Sequence, residues 1–181
     1  MQDKEVELKF QINKNTKEDI LNFLKENGTP LQSFRMVDTY YIPNFREFEI
    51  NGETHECVRI REKNDKAILC YKKIHREANP IYCDEYELEV SNKAEMEKIL
   101  FALGFSIQMV IDKTRTSYSY QDFRFDFDDV VGLDPIMEIE LTKAEDMDIS
   151  KIYHFVEKYG LTKDDVTYEG IQVMMKKANL V

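Results

Sequence analysis

Residues 5–10 read EVELKF, and the alternation in this stretch decides how the rest of the chain is read. Successive side chains of a strand point to opposite faces. Glu5, Glu7 and Lys9 therefore share one face, and Val6, Leu8 and Phe10 share the other. Alone, the stretch fits either a surface strand with a wet side or the wall of a charged site. The later strands choose between the two.

Eight segments read as strands: 4–12, 34–42, 55–62, 66–73, 81–90, 107–119, 122–129 and 136–142. Each is rich in β-branched or aromatic residues and largely alternating. Turn signals at Asn51-Gly52, Asn64-Asp65 and Tyr120-Gln121-Asp122 separate several of them, and Asn64-Asp65 predicts a hairpin between 55–62 and 66–73. Helices are predicted over 16–27, with Thr16 as N-cap and Gly28 as stop, over 92–103 ending at Gly104, over 149–159 ending at Gly160, and over 169–178.

The pattern of EVELKF recurs. Arg59 and Arg61 oppose Val58 and Ile60, and Lys72 follows the alternating Ala67, Leu69 and Tyr71. Glu85, Glu87 and Glu89 oppose Tyr86, Leu88 and Val90, while Lys113 and Arg115 alternate with Thr114 and Thr116. Arg124, Asp126 and Asp128 oppose Phe123, Phe125 and Phe127, and Glu138 and Glu140 oppose Met137, Ile139 and Leu141. A solvated sheet face mixes Ser, Thr, Asn, Gln and Lys, whereas these faces are almost wholly Glu, Asp, Arg and Lys. With the apolar faces packed under helices, the charged faces point inward and the sheet closes into a barrel with a polar lumen. The expected fold is α+β, an eight-stranded antiparallel closed β-barrel with helices on its outside, in a single domain over residues 1–181.

Composition narrows the partners. The chain has 181 residues, 43% hydrophobic and 33% charged, which is globular rather than disordered. A net charge of −10 argues against a protein that coats nucleic acid. No apolar run approaches the ~20 residues of a membrane span, and the N-terminus lacks a signal-peptide core, so a soluble cytoplasmic protein with no membrane partner is expected. Cys57, Cys70 and Cys83 form no CxxC and are read as reduced strand residues, and the three scattered histidines form no ligand pair. Oligomeric state is open, and a homodimer is compatible with the sequence.

A lumen of both signs suits one kind of ligand. Arg and Lys on several strands grip a polyanion, and clustered carboxylates suit a hard divalent cation such as Mg²⁺ or Mn²⁺. Together they describe a metal–polyphosphate complex, the substrate form used in phosphoryl transfer.

The motifs in order resemble those of the CYTH superfamily, the triphosphate tunnel metalloenzymes, and most of all its class IV adenylyl cyclase branch. The hallmark ExExK is Glu5-Val6-Glu7-Leu8-Lys9, and D-x-Y-[FY] is similar to Asp38-Thr39-Tyr40-Tyr41. L-R-I-R-E appears as Val58-Arg59-Ile60-Arg61-Glu62, T-Y-K as Cys70-Tyr71-Lys72, and E-x-E as Glu85-Tyr86-Glu87 with Glu89 as a further member. K-x-R is Lys113-Thr114-Arg115 and the last E-I-E is Glu138-Ile139-Glu140, with a looser match at TYEGI, residues 167–171. One departure is Asp134 where the family's D-x-V-x-G-L-G, here Asp128 to Asp134, ends in Gly.

The resemblance implies that Lys9, Arg59, Arg61, Lys72, Lys113 and Arg115 bind triphosphate. It implies that Glu5, Glu7, Glu138 and Glu140, assisted by Glu85, Glu87 or Asp128, hold one or two Mg²⁺ or Mn²⁺ ions, with Glu5, Glu7, Lys9, Glu138 and Glu140 forming the catalytic set. The implied activity is a class IV adenylyl cyclase-like lyase reaction, ATP to cyclic AMP and pyrophosphate. The alternatives are a hydrolase of tripolyphosphate, thiamine triphosphate or a nucleoside triphosphate, and a module that binds nucleotide or polyphosphate without turnover.

Overall fold

The structure, a computed structural model, describes residues 4–5, 7–78, 81–142 and 148–180. Its strands are β1 (Lys4–Glu5), β2 (Glu7–Gln11), β3 (Thr29–Pro43), β4 (Glu49–Ile50), β5 (Glu53–Thr54), β6 (Glu56–Lys63), β7 (Lys66–His75), β8 (Tyr82–Val90), β9 (Phe105–Tyr120), β10 (Phe123–Val130), β11 (Ile136–Leu141) and β12 (Val166–Thr167). The α-helices are α1 (Lys14–Asn27), α2 (Lys93–Ala102), α3 (Ser150–Val156) and α4 (Ile171–Lys177), and a 3-10 turn at Glu157–Tyr159 extends α3. Each strand and helix expected from the sequence is present, and β12 and the β4–β5 ribbon are additional.

The expectation of eight strands closed into a barrel is corrected. Among the described residues the main sheet has ten strands in the order β1-β8-β7-β6-β3-β9-β10-β11-β2-β12, and the outermost strands β1 and β12 are not neighbours, so the ladder is open. The count includes β12, whose Val166–Thr167 adds a short pairing along β2. Every pairing whose register is defined is antiparallel. No helix among the described residues is long and apolar enough to cross a membrane.

Local chemistry explains the boundaries. The N-cap of α1 lies three residues before the expected Thr16, at Asn13, whose side chain accepts the Thr16 N–H at 2.9 Å. Gly28 ends α1 in extended backbone rather than a left-handed turn. Its value is clearance, since a Cβ there would lie 2.9 Å from the carbonyl oxygens of both Leu24 and Ser119. The β6–β7 hairpin turns on Asn64 and Asp65, with φ of 50° and 60°, the left-handed pair that a two-residue hairpin of this twist requires. At the departure from the family turn, Gly132 carries the positive φ of 88° and Asp134 does not, so Asp134 sits there without backbone strain.

The chain divides into two compact units, one built from Arg35–Lys113 and Glu169–Val181, the other from Glu5–Phe34 and Thr114–Tyr168. In the second, β2, β11 and β10 set side chains in rows. Leu8, Ile139 and Phe125 are in register, as are Phe10, Met137 and Phe127, and these residues are at most 3% exposed. Helix α3 covers this apolar face through Phe155, whose ring lies 4.9 Å from that of Phe125 and 5.6 Å from Phe23 of α1. Burying each such phenylalanine contributes about 1.5–3 kcal/mol, which fixes the register and with it the opposite face.

In the first unit, Tyr41, Phe48, Val58, Ile60 and Leu100 form the core, with Met96, Leu69, Tyr71 and Phe105 against it. Helix α2 is held over β3 and β6 by Tyr41 donating to Glu97 at 2.7 Å and Lys93 donating to Glu62 at 2.7 Å. Its reach explains one difference from expectation. On β8 the apolar face is not packed under a helix: Tyr86 is 53% and Leu88 62% exposed.

Candidate functional site

The charged faces form a cluster in each unit. In the second unit they are the rows between the apolar ones. Glu7, Glu140 and Arg124 are in register, and so are Lys9, Glu138 and Asp126. Glu7 and Glu140 thus face each other directly across β2 and β11, an arrangement that repels unless a cation is shared. Beside them Lys9 Nζ is 3.2 Å from Glu138 Oε1.

Arg115, brought in on β9, is the hub of this cluster. Its Nε donates to Asp128 Oδ1 and its Nη2 to Asp128 Oδ2, both at 2.6 Å. Nη2 also donates to Glu138 Oε2 at 2.6 Å, and Nη1 to Asp126 Oδ2 at 2.9 Å. Burial opposes the charge of Arg115, but Glu138, Asp128 and Asp126 outweigh it and hold the guanidinium firmly protonated. Asp126 in turn accepts from Ser117 Oγ and from Arg124 Nε at 3.2 Å.

In the first unit the hub is an acid. Asp38 is fully buried and takes both Nε and Nη2 of Arg61, at 2.7 and 2.8 Å, with Lys113 Nζ 3.7 Å away. Burial pushes the Asp38 carboxyl up, but the Arg61 hydrogen bonds, with Arg59 and Lys113 nearby, hold it well below the usual carboxylate range. Along β7 and β8, Lys72 Nζ lies 2.8 Å from Glu85 Oε2, and Glu85 Oε1 accepts from Cys70 Sγ at 3.0 Å and Arg59 Nη2 at 3.5 Å. Arg59 Nη2 is 4.0 Å from Glu87, and its buried Nε has no hydrogen-bond partner.

The residues expected as a site are therefore brought together in two groups. Glu7, Lys9, Glu138, Glu140, Arg115 and Asp128 are in one unit, and Arg59, Arg61, Lys72, Lys113, Glu85 and Glu87 in the other. Glu5 lies on β1, and its side chain falls outside the described residues. Members of the clusters with no site role assigned from sequence include Asp38, Asp126 and Ser117. The first two share the charged faces by alternation, which was the available signal. Ser117 has the same parity as Lys113 and Arg115 on β9, but a lone serine carries no charge to mark it.

Donor chemistry separates the candidate metal ligands. Glu7 and Glu140 offer hard oxygens in register on adjacent strands and fit a divalent cation such as Mg²⁺ or Mn²⁺. Among the described residues, ligand atoms of Cys70, Glu85 and Glu87 also converge within 4.8 Å. That trio fits a hard cation poorly, because the Cys70 Sγ is a soft donor and is spent on Glu85 Oε1 at 3.0 Å. Burial pushes the Cys70 thiol up, and although Arg59 opposes this, Glu85 raises it further. Cys70 should then be nearly all thiol at pH 8. Ellman's reagent is expected to label it at least about tenfold more slowly in the native protein than in urea, read by peptide mapping, and equal rates would show a thiolate.

A family model for the CYTH domain matches residues 3–168, nearly the whole chain. The chain belongs to the CYTH family. CYTH proteins bind triphosphate substrates and, as triphosphate tunnel metalloenzymes, use divalent metals. A curated relative from Methanocaldococcus jannaschii, provisionally named an adenylate cyclase, is 26% identical over 167 residues, which cover 90% of this chain and 93% of the relative. A solved protein of Pyrococcus horikoshii OT3 shares the fold with a TM-score of 0.76 and 24% identity, over 96% of this chain and 99% of that one. A Hippeastrum protein, provisionally an adenylyl cyclase and described as having a dominant triphosphatase activity, shares it with a TM-score of 0.65 and 14% identity, over 94% and 91%. Both likenesses concern the CYTH fold alone.

Proposed function

We propose that this chain is a divalent-metal-dependent enzyme of the class IV adenylyl cyclase type, converting ATP to cyclic AMP and pyrophosphate. The observation that carries this reading is the pair Glu7 and Glu140, opposed in register beside the Lys9–Glu138 ion pair. A module that only bound polyphosphate would need the cations and not two like charges face to face. In the proposed site Glu7 and Glu140, with Glu138 next to them, hold Mg²⁺ or Mn²⁺. The metal, when bound, neutralises charge on phosphate oxygens.

Lys9, Arg59, Arg61, Lys72, Lys113 and Arg115 are the proposed phosphate contacts. The unpartnered Nε of Arg59 supports this, since a buried N–H without an acceptor is rare and is satisfied by an incoming oxygen. Arg61 spends Nε and Nη2 on Asp38 and keeps Nη1 for phosphate. In the reaction the ribose 3′-hydroxyl attacks the α-phosphorus, its proton leaves, and pyrophosphate departs. The chain's part is to fix the phosphates in line and stabilise their charge.

The second reading is a triphosphatase, in which water attacks a terminal phosphorus. It is favoured by the Hippeastrum protein, of the same fold and described as having a dominant triphosphatase activity. Both are tested by incubating the protein with Mg²⁺ or Mn²⁺ and ATP, tripolyphosphate or thiamine triphosphate, and identifying products. Cyclic AMP with pyrophosphate is the expected result. Phosphate release from tripolyphosphate without cyclic AMP establishes the triphosphatase, and tight binding without products overturns both.

A further inference from the structure

We propose that the uncovered apolar face of β8, with the adjoining flank of α2, seats a second copy of this chain in a two-fold dimer. The proposal is independent of the functional reading above, because this face of the sheet is turned away from the charged one. In the antiparallel register Tyr86 stands opposite Tyr71 and Leu88 opposite Leu69. The Tyr71 and Tyr86 rings stack with centroids 6.2 Å apart. Leu69 and Tyr71 pack against the core under α2, so Tyr86 and Leu88 extend that apolar face by one strand. There the cover ends, and half or more of each side chain meets solvent.

Helix α2 brings the rest of the patch. Residues along a helix are turned by about 100° each, and Leu100 points into the core. Lys93 and Glu97, on one flank of Leu100, are tied to Glu62 of β6 and Tyr41 of β3. Ile99 and Leu103 lie on the other flank with Met96, toward β7 and β8, and are 51% and 61% exposed. Tyr86, Leu88, Ile99 and Leu103 thus form one patch, with the half-buried Leu69, Tyr71 and Met96 as its floor.

Area and charge decide what covers it. The four side chains present about 400 Å² of apolar surface, within the range of functional patches on monomers. Buried between two copies they remove about 800 Å² of apolar area from water. At an apolar share of about 60% that corresponds to roughly 1,300 Å² in all, enough for a specific dimer. Charge selects a second copy over a foreign partner. The chain carries −10, so a basic partner is drawn to its acidic surface, whereas this patch is rimmed by Lys73, Lys98 and Glu95, the last two paired at 2.7 Å. Two chains of −10 repel wherever acidic surfaces meet, and this rim spares them that cost. A two-fold axis also turns the lysines of one copy toward Glu95 of the other.

Sedimentation velocity of the full-length chain over roughly 1 to 200 μM tests the interface. Wild type is expected to dimerise in the micromolar range. Its dimer should be no weaker in about 0.5 M than in about 0.05 M salt, since salt screens the repulsion between acidic copies and leaves apolar contact intact. Leu88→Glu is expected to weaken the dimer by at least about tenfold, because a two-fold interface takes the buried charge twice. Val131→Glu, at a residue 88% exposed in the turn after β10, is expected to leave it unchanged.

A wild type that stays monomeric throughout would overturn the proposal, as would a dimer that Leu88→Glu leaves intact or that weakens about tenfold in high salt. Open-ended growth beyond the dimer would overturn it too, since that marks a head-to-tail contact. Should circular dichroism show Leu88→Glu unfolded, Ile99→Glu is read by the same criteria, because it adds the charge from the helix and leaves the sheet unaltered. Turnover and metal binding do not enter the measurement, so the interface and the functional reading stand or fall separately.

Discussion

Glu7→Gln is expected to reduce turnover by at least about 10²–10³-fold and to leave the melting temperature unchanged or slightly higher. The two halves of this result have one cause. Glu7 and Glu140 are register partners on β2 and β11 with their charges on the same face. Directly opposed like charges on a sheet cost roughly 0.2–1 kcal/mol, so removing one relieves the metal-free protein while removing a hard oxygen from the cation. A carboxylate retained for stability would behave in the opposite way. If Glu7→Gln melted several degrees lower and kept its activity, Glu7 would be structural and the proposed metal pair wrong. Adding Mn²⁺ sharpens the comparison, because it should raise the wild-type melting temperature more than that of the variant.

The alternation that began at EVELKF made most of the architecture legible. Period-two patterning in Arg124 to Asp128 and Met137 to Leu141 located strands whose apolar rows are in fact buried against α1 and α3. The Asn64-Asp65 turn was readable because a two-residue hairpin needs left-handed backbone that Asn and Asp tolerate. What alternation could not supply was closure and coverage. Register along an individual strand is local, whereas closure depends on which strands end the ladder, and here they are β1 and β12. Nor could it tell that α2 stops short of β8, because Tyr86 and Leu88 have the same alternation as their buried counterparts.

At the site, residue types were legible and pairings were not. Lys9, Arg59, Arg61 and Glu138 are on the charged faces as expected, but which carboxylate meets which cation follows from cross-strand register. Arg115 illustrates the gap. The K-x-R motif marks Arg115 as a cation on a charged face, while only the register of β10 with β11, which sets Asp126 opposite Glu138, shows that Arg115 donates to both. Asp38 is the converse case. Its place in Asp38-Thr39-Tyr40-Tyr41 marked a strand without revealing that the carboxylate neutralises two basic side chains.

Asp38→Asn is accordingly the second large effect, and it falls on stability. The side chain is fully buried, Arg61 grips it through two nitrogens, and Lys113, with a side chain only 2% exposed, lies 3.7 Å away. Removing one member of a buried ion pair leaves uncompensated charge and costs about 3–5 kcal/mol, measured at pH 7 as a shift of the urea midpoint. Acid should unmask the same interaction. The Asp38 carboxyl is held below its unfolded value, so its contribution is complete above pH ~4 and is lost as pH falls toward the lowered folded value. Wild-type stability should therefore fall more steeply than that of Asp38→Asn below pH 4. Parallel acid profiles, or a midpoint shift worth under about 1 kcal/mol, would show that Arg61 and Lys113 are satisfied without Asp38. Anions supply a further discriminator: with Arg61 released, tripolyphosphate should raise the melting temperature of Asp38→Asn by more than it raises that of wild type, because the freed guanidinium gains an oxygen partner that only the native fold can present.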